Sequence, residues 1–460
     1  MSTRTTFGPR APLTPAAKRP EAELRPLSLR SNFAWTLTGN ILYNVCQAGW
    51  IVVLAKMGNP EMVGRFGMGL AVTAPVVMFT RLQLRSIQAT DARDEYRFGD
   101  YLSLRLISTA VAMAVIALIA SSAVLFADYH RGDVSAWLAI ALMRASEGVS
   151  DCIYGLLQKW ERLDLISRSM MIKGPTSVIA LAAMIRVTHN VAWGALGIMA
   201  AWTALMFLYD VRNARRIMRA RGIVEDLSLR TLWSGRLPVL RRLTWLALPL
   251  GFVALLDSLN VNVPRYVIQG HMGLAALGYF TAISSVTVGG NMTVASLATS
   301  ASPRLSRHYV DDIAGFKRLT WKLVQFGIVL GGGVLLIALL FGRQLLTVLY
   351  TAEYAHVDVF AWLMAAAGLG YVARFLVYSM TAARYLRAQT PLYALSLGIL
   401  GGLSLWLIPS HGLLGAAWAA FGGTLILLVG AIAVNLHAIR TRSAALAAEA
   451  VQPSLPSDWT

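Results

Sequence analysis

Apolar runs of about twenty residues recur along almost the whole chain, separated by short polar or basic breaks. Wound as an α-helix, a run of that length crosses the roughly 30 Å hydrocarbon core of a bilayer. Lipid offers no partner to backbone N–H and C=O groups, so such runs must be helical and must satisfy those groups internally. Twelve can be placed, at 33–55, 67–85, 103–127, 134–157, 168–186, 191–210, 243–267, 274–299, 321–342, 356–381, 389–408 and 412–437. The second and eighth are the least apolar. Composition agrees, with 56% hydrophobic residues, 14% charged residues and a mean hydropathy of +0.58. A soluble domain carries roughly a quarter charged residues. The expected fold class is an all-α polytopic membrane protein of about twelve transmembrane helices.

The formal net charge of +18 would suit a nucleic-acid binder, but its distribution argues for a membrane protein and against nucleic acid as a partner. With the N-terminus inside, cytoplasmic segments and the adjoining helix ends hold 33 of the 41 Lys and Arg residues. Lys56, Arg65, Arg131, Arg186, Arg265 and Arg343 fall on the opposite side, and Arg144 and Arg374 fall mid-span. That asymmetry predicts two cytoplasmic termini. Residues 1–30, with five prolines and six basic residues, read as a disordered basic tail, not a signal peptide. Residues 439–460 read as a second tail. The longest basic stretch, 211–242, divides the chain into an N-terminal six-helix lobe (31–210) and a C-terminal six-helix lobe (243–438). "GRFGMGLAVTAP" (Gly64 to Pro75) lines up with "GYFTAISSVTVG" (Gly278 to Gly289), each just after an outer loop. An even number of spans in each lobe makes the two parallel repeats about an axis along the membrane normal.

Cys46 and Cys152 both lie in apolar segments, giving no disulfide framework, and the seven histidines show no metal-ligand spacing. Neither a cofactor nor a metal is expected. Ser, His and carboxylate residues nowhere take a catalytic spacing, and no outer loop exceeds about 15 residues on these spans. The chain is therefore not expected to be an enzyme.

The fourth span poses a question. Arg144, Glu147 and Asp151 interrupt an otherwise apolar helix, and with Gly148, Gly155 and Gln158 they fall within a stripe about 100° wide. Each such charge costs about 2.5–3.5 kcal/mol on insertion scales, so the stripe must face other helices or water. One reading is an internal Arg144–Glu147 salt bridge at i, i+3, which leaves Asp151 over. The other is the wall of a hydrated pathway for a polar or anionic cargo. Both stay open.

Further polar positions could belong to such a pathway. Arg374 lies in the tenth span, near Tyr371 and Tyr378. Asp257 and Asn260 lie in the seventh, between Pro249 and Pro264, which could bend it and serve gating or coupling. Arg81 and Arg85 are either snorkelling anchors or part of the site. Lys56, Arg65 and Arg265 are expected to cluster at the outer face as a gate or as interfacial anchors. "GIVLGGGVLL" (Gly327 to Leu336) reads as helix packing through small residues.

The stretch "EGVSDCIYGLLQKWERLD" (Glu147 to Asp164), followed by "ISRSMMIKGP" (Ile166 to Pro175), resembles one group of bacterial polysaccharide-biosynthesis membrane proteins. "FTRLQLRSIQATD" (Phe79 to Asp91) and "SNFAWTLTGNILYNVCQAGWIVVLAKMG" (Ser31 to Gly58) resemble the same group. These are the oligosaccharide-lipid flippases of the multidrug/oligosaccharidyl-lipid/polysaccharide (MOP) exporter superfamily. The likeness is strongest over residues 31–175 and looser in the second half, where "NVNVPRYVIQGHMGLAALGYF" (Asn260 to Phe280) carries it. The chain departs from the pattern at Gly148, where Ser is common.

The resemblance implies two six-helix lobes around a central, often cationic cavity. It implies transport of an undecaprenyl-pyrophosphate-linked sugar from inner to outer leaflet of the bacterial inner membrane, by alternating access. Arg144 and Arg374 would then contact the diphosphate, with Glu147, Asp151, Arg81 and Arg85 as further substrate-binding candidates. Partners would be the lipid-linked oligosaccharide, membrane lipids and polysaccharide polymerase machinery, with a monomer as the family default. Two alternatives compete: an ion-coupled multidrug exporter of the same superfamily, and a membrane-embedded polysaccharide polymerase or ligase.

Overall fold

The structure, a computed structural model, describes residues 29–91, 94–126, 129–223 and 237–451. Among these the chain is helical throughout, without strands. The N-terminal half comprises α1 (Leu29–Met57), α2 (Pro60–Arg81), the short α3 (Leu84–Thr90), α4 (Phe98–Phe126), α5 (Arg131–Lys159), α6 (Leu163–Thr188), α7 (Val191–Leu205) and α8 (Val211–Ala220). A π-helical turn, Met206–Asp210, joins α7 to α8. The C-terminal half comprises α9 (Leu237–Ser285), α10 (Val288–Asp311), α11 (Ile313–Leu349), α12 (Val357–Ala382) and α13 (Leu386–Val451).

Nine of the described helices are long and apolar enough to cross a membrane. The charged α5 and the polar α10 are not among the nine. Two of the nine are each a pair of helices meeting at a corner. Within α9 the corner is Gly273 (φ 80°, ψ −174°), and within α13 it is Gly412 (φ 60°, ψ −135°). Those angles are open to glycine at little cost and strained for any residue with a Cβ. The two corners lie together, since a Cβ on Gly412 would stand 3.1 Å from the Met272 Cε.

Several expected boundaries move. Helix replaces loop at 211–220 and 237–242, and α13 continues through the expected tail as far as Val451. The tail before Leu29 and segment 224–236 lie outside the described residues. The second span, expected unbroken to residue 85, ends at Arg81 and restarts at Leu84. Leu82 and Gln83 between them both take left-handed backbone angles (φ 51° and 49°), which costs roughly 1–2 kcal/mol per residue.

The halves meet along α2 and α9. Gly64 and Gly278, aligned by the internal repeat, face each other reciprocally. A Cβ on Gly64 would collide with the Leu274 carbonyl, and a Cβ on Gly278 would collide with the Pro60 carbonyl. Pro60 and Leu274 are themselves four residues before each glycine. Such mutual contact between equivalent positions is the signature of a two-fold axis. Farther along the same seam the Tyr266 hydroxyl donates to the Ala71 carbonyl, and Phe79 packs edge-on against Phe252, with ring centroids 5.1 Å apart. At the end away from the termini, Lys56 Nζ donates to the Val348 carbonyl, 2.8 Å away, again joining the halves.

Candidate functional site

The charged stripe of α5 faces α2, α3 and α4. Glu147 accepts from Arg144 Nη1 (2.9 Å) on its own helix and from Arg81 Nη2 (2.8 Å) on α2, both on Oε2. The Tyr43 hydroxyl of α1 approaches its other oxygen at 3.4 Å. Asp151 accepts from Arg85 Nη1 at 3.3 Å and lies 3.7 Å from Arg105 Nη2 of α4. Arg85 Nε also donates to Gln158, the last residue of the stripe, at 3.0 Å. The left-handed pair Leu82–Gln83 ends one helix and starts another, so Arg81 reaches α5 from α2 and Arg85 reaches it from α3.

The i, i+3 salt bridge therefore exists, but it is one edge of a network, and Asp151 is not left over. The snorkelling reading of Arg81 and Arg85 is corrected: both head groups turn into the helix bundle toward carboxylates. Sequence reasoning missed Arg105, whose side chain is only 2% exposed. It also missed a fully enclosed pair in which Lys173 Nζ donates to Asp210 Oδ2 (2.7 Å) and to the Tyr154 hydroxyl (2.8 Å). Asp210 is the last residue of the π-helical turn, an irregularity that marks functional sites more often than chance.

Between the halves lie two cavity compartments, of about 430 and 640 Å3. Arg144, Asp257, Arg265, Arg374 and Tyr393 line both. Arg265 corrects the expectation of an outer-face cluster. The helix runs on eight residues past it to Gly273, about 12 Å, and so sets it inside the bundle. Its Nη1 donates to Asn262 (3.1 Å), while its Nε has no partner. Arg65 pairs instead with Asp133, and Lys56 with the Val348 carbonyl.

The remaining seventh-span residues divide. Pro264 lines the first compartment, whereas Pro249 is exposed and lines neither. Asn260 donates to the Leu256 (3.0 Å) and Tyr393 (3.3 Å) carbonyls and accepts from Ser396 (3.2 Å), tying α9 to α13. Around the central space, Arg144, Arg265 and Arg374 stand against the single carboxylate of Asp257, which has no ion-pair partner among the described residues. Such a wall favours an anionic or polyhydroxylated ligand over an organic cation. Cys46 and Cys152 are both free thiols.

Two helical halves around a charged cavity, with nine described helices long and apolar enough to cross a bilayer, define a multi-pass membrane protein. The same architecture is found in a multidrug-resistance MATE transporter of the MOP superfamily in its inward-facing conformation. That structure has a TM-score of 0.63 and 15% identity, over 88% of this chain and 94% of that one. A point mutant of the Vibrio cholerae MATE transporter VcmN matches with a TM-score of 0.61 and 14% identity, over 90% and 96% of the two chains. At those identities the likeness is one of fold. Residues 29–309 match the family described as polysaccharide biosynthesis protein, and the chain belongs to that family. It is also 27% identical over 390 residues to the capsular polysaccharide biosynthesis protein CapF of Staphylococcus aureus, covering 84% of this chain and 94% of that protein. The protein is thus a multi-pass membrane protein of a polysaccharide-biosynthesis family, with the fold seen in MATE transporters.

Proposed function

We propose that this protein is a flippase for a polyprenyl-pyrophosphate-linked oligosaccharide, moving it from the cytoplasmic to the periplasmic leaflet of the bacterial inner membrane. The carrying observation is the cavity that Arg144, Arg265 and Arg374 line from both halves, with Asp257 as its one acid. A sugar-pyrophosphate head needs a wet, cationic path, while its lipid tail stays in the bilayer. Guanidinium forks suit phosphate oxygens. Asp257, Tyr393 and Asn291 on the same walls offer partners to sugar hydroxyls. The chain crosses the membrane twelve times with both termini cytoplasmic, in lobes of residues 31–210 and 243–438, and alternating access follows from rocking these lobes. Glu147 holds Arg144 and Arg81 in place when no diphosphate is bound.

The test is complementation of a host lacking its own flippase for a matching glycan, with all variants at equal expression. Wild type should restore surface polysaccharide, and Arg144→Ala, Arg265→Ala and Arg374→Ala should lower it at least tenfold. Full restoration by all three would reduce the charged wall to a structural feature. Failure of wild type across several glycans, together with protection against cationic drugs, would favour the multidrug alternative.

A further inference from the structure

A much smaller cavity lies within the N-terminal half, enclosed by α2, α4 and α5. Its volume is about 20 Å3, enough for a single water-sized species. Arg81, Arg105, Arg144 and Thr109 form its polar wall, and Gly148 leaves the space a side chain would fill. Val77, Ala112, Met113 and Ala141 form its apolar side.

The donors around this cavity outnumber their acceptors. Arg105 Nε and Nη2 and Arg81 Nε are buried and make no hydrogen bond. The carboxylate nearest to Arg105 is Asp151 at 3.7 Å, too far for a hydrogen bond and already engaged by Arg85. Buried N–H groups are rarely left in that condition. The charge count points the same way. The guanidinium groups of Arg81, Arg85, Arg105 and Arg144 surround only two carboxylates, Glu147 and Asp151. That leaves an excess of positive charge, and the Arg105 side chain, 2% exposed, has little solvent to offset it.

We propose that this cavity is a binding site for one small monovalent anion of halide size, held by the free N–H groups of Arg81 and Arg105 beside the Thr109 hydroxyl. Sulfate and phosphate, each with four oxygens around a central atom, do not fit the space. The anion compensates the excess charge of the cluster. Arg144 lines this cavity as well as the central one, so the bound anion sits directly behind a residue facing the transport path. The site stands on the geometry of the N-terminal half and is independent of the cargo proposed above.

The experiment uses the full-length protein, purified in detergent and exchanged into sodium gluconate. Chloride or bromide then replaces gluconate at constant ionic strength, and unfolding is followed by the fluorescence of its 13 tryptophans. Wild type should show a saturable rise in apparent Tm of about 2–4 °C with either halide, and none with sulfate. Gly148→Ala should abolish the response. Its Cβ would stand 3.9 Å from Arg105 Cδ and 4.0 Å from Thr109 Oγ1, ordinary contact distances, so it fills the cavity without removing a charge or forcing a clash. Arg105→Gln should abolish it too; if that variant fails to fold, Gly148→Ala decides. An equal response to sulfate would overturn the proposal in favour of a non-specific anion effect. A halide response that survives in Gly148→Ala would place any anion elsewhere and leave this cavity with water alone.

Discussion

Replacing Lys173 by Met should destabilise the protein severely, and removing Asp210 as well should restore it. Lys173 is 4% exposed and Asp210 is fully buried. Asp210 Oδ2 depends on the ammonium group, and Oδ1 has no hydrogen-bond partner at all. Lys173→Met therefore leaves a buried carboxylate with nothing. Breaking a buried pair from one side costs about 3–5 kcal/mol, whereas replacing both partners by apolar groups is often neutral or stabilising. Tyr154 keeps its hydrogen bond to Ser169 (2.8 Å) in either variant, so the hydroxyl adds little to the loss. The expected drop in apparent Tm for Lys173→Met is about 3–5 °C. Lys173→Met/Asp210→Leu should return to within about 1 °C of wild type. Thermal unfolding of the three purified proteins in one detergent measures this directly. A single variant as stable as wild type, or a double variant no better than the single one, would refute the reasoning.

Three further outcomes follow from other parts of the molecule. Gly278→Val should force α2 from α9 at their closest approach. In a background with Cys46→Ala and Cys152→Ala, a Thr281→Cys probe, buried at 2% exposure, should then react at least several-fold faster with a water-soluble maleimide; unchanged labelling would show that the close approach is dispensable. Glu147→Gln should weaken the hold on both Arg81 and Arg144 and destabilise the protein by about 1–3 kcal/mol, detectable against an Arg81→Gln/Glu147→Gln pair in a double-mutant cycle. Asp91, outside the spans, is partly buried, which alone would raise its pKa. The backbone N–H groups of Glu95 and Tyr96, with Lys159 nearby, outweigh that and hold it below its ordinary 3.8. A depressed folded-state pKa contributes stability that is present at neutral pH and lost as pH falls through the folded value. The Tm gap between wild type and Asp91→Asn should thus be constant from about pH 7 to 5 and close only below about pH 4; a gap that closes near pH 6 would contradict this.

The all-helical membrane fold could be read from sequence because apolar runs of bilayer length admit one backbone solution, although nine described helices, not twelve, are long and apolar enough to cross a membrane. The α5 stripe was legible for the same reason, since 3.6-residue periodicity places Arg144, Glu147 and Asp151 on one face whatever they meet. What they meet was not legible. Arg105 and Lys173 lie a few residues inside their helices, where a basic residue looks like an ordinary cytoplasmic flank. Asp210 looked like the end of the sixth span, because nothing in "LYDVRNARR" announces a π-helical turn continuing into α8. Arg265 was misplaced because hydropathy marks where an apolar run ends, not where a helix ends; α9 continues past it to Gly273. The break at Leu82–Gln83 also left no trace, since neither residue normally favours left-handed angles.

The corners at Gly273 and Gly412 carry a mechanical consequence. A loop of several residues lets the helices it joins tilt separately, taking up the difference as slack. A corner made by one residue's φ and ψ confines any change of angle between the two arms of α9 to the torsions of Gly273, and between those of α13 to Gly412. Met272, one residue before the first corner, rests against the second, so the two hinge points lie side by side. A change of angle between the arm bearing Arg265 and the arm bearing Gly278 therefore pivots where the two halves of the C-terminal helices turn together.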